Sequence, residues 1–297
     1  MLDFNLTAEQ NAAQIVNDFA PASLSTSAAP TVSSRYAFIN SAKAIDILAD
    51  YGFHATAAQQ QKSRDKSKAP YAAHMLRFQN EAFSTGEGIP ELLLLNSHNK
   101  RTSLGLGQGF FRYACSNNVV LATSGIFQRL RHNAATESAF EKLVAAKAAG
   151  LPETMARIAA MQNAPISDVD AFSMVSDMCE ARGWLLSFGQ PALDLKAVIN
   201  PEPKKNASYY NENTISDLLT VRRTEDKSRT VWNIFNRVQE CFCSANNGFA
   251  PVRIVSTSKK YPEGRERKAR SVRSIAGNTA LNAKLFSIGE TYAKEAA

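Results

Sequence analysis

Histidine and cysteine are scarce in this chain, with four of each among 297 residues. His54, His74, His98 and His132 fall in no HExxH or HxH pattern, and no Cys-x-x-Cys is present, so the usual spacings of a zinc site are excluded. Cys115 and Cys179 stand alone, while Cys241 and Cys243 lie two apart in a helical pattern and point to different faces. They read as buried thiols, not as a disulfide framework. Long apolar runs are missing too: the longest, Leu92 to Leu95, is far short of the roughly 20 residues that span a bilayer. The N-terminus shows no charged-then-apolar leader pattern, and a cytoplasmic protein with no membrane partner is expected. Gly105, Gly107 and Gly109 are followed by no Lys-Ser/Thr pair, which argues for a close-packed strand over a phosphate loop. Paired carboxylates are absent from the same region, and Glu225 and Asp226 beside Arg222 and Arg223 imply local ion pairing.

What the sequence does have is a basic, strand-like stretch from Ser97 to Thr123. Leu104 and Leu106 alternate with glycines, and Phe111, Tyr113 and Cys115 alternate with Phe110, Arg112 and Ala114, the period of a strand with one buried face. Asn117 and Asn118 tolerate a left-handed turn and Val119 and Val120 resume the extended pattern, so a hairpin is predicted. Between Ser97 and His132 there are five Lys or Arg residues (Lys100, Arg101, Arg112, Arg129, Arg131) and no Asp or Glu. A sheet with that bias presents a positive surface to polyanions. The net charge of +7 matters less than this placement.

In chain order, residues 1–34 form an arm and linker. Thr7 caps a short helix with Ile15, Val16 and Phe19 on one side, expected to pack on the body or on a neighbouring protomer, and a Ser/Ala/Thr/Pro-rich tether follows. Residues 35–297 read as one α+β domain, an antiparallel meander packed with helices, with a helical insertion at about 126–190. Tyr36 to Ile39, Tyr71 to Asn80 and Pro90 to Leu95 are predicted strands, and Ser41 to Asp50 a helix stopped by Gly52. Ser228 to Cys243 has the clearest helical stripe, with Asn233, Asn236, Arg237 and Glu240 on its wetter side. Lys259, Lys260, Arg265, Arg267, Lys268, Arg270 and Arg273 form a basic segment expected to be flexible, and a closing helix runs from Asn278 to Ala293.

Several of these pieces in order, LLLLNSHN, GFFRYACSNNVV, LLTVRRTEDKSRTVWNIFNRVQE and RERKARSVRSIAGNTALN, resemble the phage and plasmid-like proteins grouped as domain of unknown function 932. The resemblance covers roughly residues 35 to 290. One departure is that the family commonly has Asn-Gly where this chain has Asn117 and Asn118, which alters the turn type and leaves the hairpin. It implies a mobile-element setting and carries no settled reaction.

The features fit nucleic-acid binding better than catalysis. GFFRY interleaves aromatics with a cation, the means by which proteins hold single strands without reading sequence, although only one face of that strand can be free. The expectation is a single-stranded DNA-binding protein of annealing type, similar in role to the annealing proteins of phages. It would act as a ring or filament of identical subunits, use no cofactor, and meet host or phage replication factors. Its contacts would be Lys100, Arg101, Phe110, Arg112, Arg129, Arg131 and the basic segment. Two competitors are a metal-dependent nucleic-acid-processing enzyme centred on His98, which sits in a polar strand-end cluster of the kind that more often caps a turn, and an interaction protein that binds a host factor.

Overall fold

The computed structural model describes residues 7–33, 36–114, 118–120, 127–130, 136–186, 206–243, 252–262, 264–272 and 274–296. The fold is α+β, and the chain divides into two compact units, Met1–Met155 with Ser274–Ala276, and Ala156–Arg273 with Gly277–Ala297.

The first unit is built on an antiparallel meander. Strands β1 (His54–Gln60), β2 (His74–Gln79), β3 (Gly88–Asn96) and β4 (Leu104–Arg112) pair in sequence order. Two short strands share the outer edge of β4: β5 (Asn118–Val120) pairs with Gly109–Phe111, and β6 (Gln128–Leu130) with Leu104–Leu106. The residues between Asn80 and Gly88 bring β2 into β3, where Gly88 lies opposite Arg112. A Cβ at Gly88 would collide with the Phe111 carbonyl oxygen and lie 2.7 Å from the Phe110 ring, so this close approach requires glycine.

Because side chains alternate, the register assigns each residue to a face. Leu76, Phe78, Leu92, Leu94, Leu104 and Leu106 point to one side and form the main core with α1 (Ala8–Phe19), α2 (Ser41–Asp50) and α3 (Thr136–Ala149). Full burial of each such side chain contributes about 1.5–3 kcal/mol. The opposite side carries Met75, Leu93 and Leu95 with Phe127 and Ile275, and next to them a buried ion pair. Arg77 Nε stands 3.0 Å from Glu91, whose other carboxylate oxygen accepts a 2.7 Å hydrogen bond from Gln79.

The N-terminal arm packs on its own body. Thr7 and Gln10 form a reciprocal capping box at the start of α1, and Ile15 and Val16 are buried. The Ser/Ala/Thr/Pro tether is ordered as well. Its small side chains let the backbone lie close, and Ala20, Ala22, Ser23 and Ala29 are buried. The Ala22 N–H donates to Gln60 (2.8 Å) and the Ala29 N–H to the His98 carbonyl (2.9 Å), so its backbone polar groups are satisfied. Tyr36 to Ile39, predicted as a strand, joins no ladder; Asn40 there caps α2 through the Ala42 N–H.

The second unit holds α5 (Asp168–Ala181), α6 (Glu212–Leu219) and α7 (Val231–Cys243), together with the sheet order β10-β9-β8-β7. Its strands are β7 (Leu185–Leu186), β8 (Ser208–Tyr210), β9 (Arg253–Ser256) and β10 (Arg265–Lys268), and only β7 and β8 are parallel. Two helices cross the division of the chain: α4 (Leu151–Asn163) and α8 (Ile275–Glu295). The side of α7 expected to be wet is dry: Asn233, Asn236, Arg237 and Glu240 are buried beside the apolar stripe. They are tolerated because they are partnered. Glu240 pairs with Arg223 at 2.5 Å, Arg237 donates to the carbonyls of Leu219 and Asp226, Asn233 donates to the Ser228 carbonyl at 3.1 Å and Asn236 to the Trp232 carbonyl at 2.7 Å. Arg223 thus has an anion on α7, 17 positions along the chain.

Candidate nucleic-acid interface and a buried polar network

The basic segment near the C-terminus is a hairpin. In β9 and β10, Arg265 pairs with Ser256 and Arg267 with Ile254, which places Arg265, Arg267, Ser256 and Ser208 on one face. Arg267 donates to Ser256 Oγ at 2.6 Å. Four paired residues and a hydrogen-bonded tip give the segment structure where flexibility was expected. At the tip the Tyr261 N–H and carbonyl bond back to Ser258, and Gly264 takes φ +96°, the conformation that closes the turn. Two cations approach the Tyr261 ring, Lys260 Nζ at 5.6 Å and Arg265 Cζ at 5.3 Å from its centroid. Every residue of β10 is exposed, as are Lys259, Lys260 and Arg270. Among the described strands β10 is the edge of this sheet, and a charged edge of this kind resists strand addition and offers its cations to solvent or to a polyanion.

The basic stretch of the large sheet turns out differently. Phe110 is fully buried and Arg112 is 1% exposed, so neither can stack on or neutralise a ligand; the predicted role is corrected for both. The cause is strand phase. Phe110 belongs to the face of Leu104 and Leu106, and Arg112 follows it in phase. The solvent-facing group at this end is Tyr113, which is 49% exposed, touches Phe111 edge-on and hydrogen-bonds Ser84 at 2.5 Å. At the other end of the strand, Lys100, Arg101 and Arg129 are exposed around the β3–β4 loop. Lys100 adopts φ +66° and donates to Ser33 (2.8 Å), and Arg129 reaches Ser103 (3.5 Å). Arg131 and Arg273 lie outside the described residues.

His98 belongs to a network that the sequence did not reveal. Its ring is buried between those of Phe38, at 4.8 Å, and His74, at 5.3 Å. His74 and Asn96 face each other across β2 and β3, and Ser41, the first residue of α2, bridges them. His74 Nδ1 is 3.1 Å from the Ala72 carbonyl, which can only accept, so Nδ1 carries the proton. Nε2 then accepts from the Ser41 hydroxyl (2.9 Å), whose oxygen accepts from Asn96 Nδ2 (3.0 Å). The Ser97 N–H fixes the orientation of that amide by donating to Asn96 Oδ1 (2.8 Å). Burial pushes the His74 pKa down to about 4, opposed by the Ala72 hydrogen bond, so the ring is neutral at pH 7. A hydroxyl donating to a neutral imidazole is the arrangement of an activated nucleophile. Here Ser41, His74, Asn96 and His98 are all fully buried, and the network ties the start of α2 to the sheet. Among the described residues no group of three or more His, Cys, Asp or Glu side chains could hold a metal ion.

Comparison with known proteins places this architecture. The family model described as Domain of unknown function (DUF932) matches residues 29–286. The chain belongs to that family. Among curated proteins, this DUF932 chain is similar to two from Escherichia coli (strain K12). The UPF0380 protein YfjQ is 26% identical over 264 residues, covering 87% of this chain and 83% of YfjQ. The UPF0380 protein YafZ is 27% identical over 265 residues, covering 87% of this chain and 82% of YafZ. No solved structure matches. The matched span includes the large sheet, the buried network and the basic hairpin of this DUF932 protein. It leaves out α1, whose buried side nonetheless completes the core over β1.

The signal for the network was available in strand phase. His74 is in step with Leu76 and Phe78, and Asn96 with Leu94 and Leu92, so both polar side chains had to enter the apolar face. The thiols behave as the spacing implied: Cys179 and Cys243 are buried and Cys241 half-buried, all three free. Burial raises the Cys241 pKa to about 11 and that of Cys243 to about 12, which keeps both protonated and inert. Cys115 lies outside the described residues. Among the described residues no helix is long and apolar enough to cross a membrane.

Proposed function

We propose that this protein binds single-stranded DNA through the β9–β10 hairpin, in an annealing-type role within an oligomer. The observation that carries the reading is the half-buried Tyr261 ring with the Lys260 and Arg265 cations close by, at the tip of an exposed, cationic hairpin. Aromatic stacking and phosphate neutralisation together hold single strands with little sequence preference. The exposed cations at the β3–β4 loop, Lys100, Arg101 and Arg129, are a second phosphate-binding region in this reading. Binding by this route needs no metal or nucleotide.

The test is fluorescence polarisation of labelled oligo-dT, a duplex and an RNA of equal length, across a salt series. Tight binding to oligo-dT with a linear fall of log affinity on log salt is expected. Replacing Lys260, Arg265 and Arg267 with Ala lowers that slope by about 0.7 for each phosphate no longer neutralised, and Tyr261→Ala weakens binding by about 1–3 kcal/mol without changing the slope. Affinity and slope unchanged in the triple variant would remove the hairpin from the binding surface. Mixing complementary strands then separates annealing from simple coating.

A further inference from the structure

Between α1 and α2 runs an open groove of about 440 Å³. α1 lines it with positions 9, 12, 13, 16 and 17, and α2 with positions 42, 45, 46, 49 and 50. Each set is one stripe of a helix followed for two turns, so the groove follows each helix for about 12 Å. Its lining is mainly apolar, with Val16 on α1, Ile45 on α2, and Leu24 and Phe53 outside the two helices, next to the polar His54. Its rim is acidic on both sides, with Glu9 on α1 and Asp46 and Asp50 one turn apart on α2. All three carboxylates are exposed, and among the described residues none of them makes an ion pair. Leu24, a large apolar side chain of the lining, is left 38% exposed.

We infer that this groove docks a basic amphipathic helix of a partner protein. A helix entering it buries apolar residues at i, i+3 or i+4 and i+7, the spacing that two-turn helical walls accept. Lys or Arg flanking that stripe would meet Glu9 on one side and Asp46 and Asp50 on the other. The charge is what selects this occupant. On a chain of net charge +7 the groove is a negative site, which disfavours a polynucleotide and an acidic helix alike. The site is distinct in residues from the hairpin proposed to bind DNA, and neither reading depends on the other.

The probe is a labelled 14-residue helical peptide with Leu at i, i+4, i+7 and i+11 and Lys or Arg on both flanks, compared with a peptide bearing Glu at those flanks. Polarisation with the full-length protein should detect the basic peptide and not the acidic one, and binding should weaken as salt rises. Asp46→Lys with Asp50→Lys should weaken it at least tenfold, and Ala13→Arg, an exposed wall position, should block it. Thermal melting of both variants at the wild-type temperature confirms that the walls remain folded. The inference is overturned if the two peptides bind alike, if neither binds, or if the charge-reversed variant binds the basic peptide unchanged. It is also overturned if sedimentation shows the protein self-associating through the groove, with Ala13→Arg dissolving the assembly, because the occupant is then a second copy.

Discussion

Two segments of this chain combine arginine with aromatic residues, and the fold uses them in opposite ways. Gly109 to Tyr113, GFFRY, ends the strand at the middle of a large sheet, where Phe110 is fully buried and Arg112 is 1% exposed. Lys259 to Arg267 forms the tip and edge of a small sheet, where every cation is exposed and two of them approach the Tyr261 ring. Composition is similar and position differs. A central strand receives cover on both faces, so a cation there must be matched from within the protein; an edge strand has one side open to water and tolerates cations unmatched. Basic character in a strand therefore predicts a ligand surface only when the strand is an edge.

The large sheet should suffer most when a matched cation loses its anion. Arg77 is such a case: burial lowers its pKa, and the Glu91 carboxylate opposes that by favouring the charged guanidinium. Glu91→Ala strands this cation in the sheet, and a loss of about 3–5 kcal/mol is expected in urea unfolding. A midpoint within experimental error of the wild type would mean that water or another group reaches Arg77, and the contrast between the two sheets would fail.

How much of this was legible follows from the same distinction. Strand period gave the meander, helical spacing gave α2, α5 and α7, and Gly52, at φ +77°, ends α2 where glycine was expected to. Periodicity reports which side of an element is apolar, not what covers the other side. So the polar side of α7 reads as wet from its spacing, although Asn233, Asn236, Arg237 and Glu240 are buried and two of them find partners well back along the chain, Glu240 in Arg223 and Arg237 in the Leu219 carbonyl. The tether before residue 36 failed for another reason. Large side chains are one source of order, whereas Ala20, Ala22 and Ala29 are buried through the close approach that small side chains permit. Of the candidate site, the cations of the hairpin could be read from the sequence, but the ring they approach could not. Tyr261 and Arg265 meet only because the turn folds back at Gly264. The Ser41–His74–Asn96 network required pairing two strands in register before its members came together.

A smaller effect, of up to about 3 kcal/mol, is expected from acid, and it again falls on the large sheet. His74 has a folded pKa of about 4 against an ordinary value of 6.5, so between those pH values the unfolded chain binds a proton that the folded chain refuses. The contribution is fully present above pH 6.5 and is lost as pH falls from 6.5 towards 4. Urea unfolding at pH 7, 6, 5 and 4 measures the slope, and His74→Gln should flatten it over that window. An equal slope in His74→Gln would assign the acid sensitivity to other groups.

The smallest stability effect should come from the segment with the most charge. Lys260, Arg265 and Arg267 are exposed, and the side-chain hydrogen bonds at this edge, such as Arg267 to Ser256, compete with water. Removing an exposed cation from an edge also relieves repulsion from its neighbours, which offsets the missing hydrogen bond. Arg265→Ala and Arg267→Ala should therefore each change unfolding free energy by no more than about 0.5 kcal/mol. The same variants should lower the salt slope of oligo-dT binding, giving a surface whose charge is nearly idle for folding and active for a ligand. A loss above about 2 kcal/mol, comparable to breaking a buried network, would instead make these arginines structural members of the small sheet. The hairpin and the central sheet would then differ in exposure alone, and the case for a polyanion surface would rest on Lys259, Lys260 and Tyr261 at the tip.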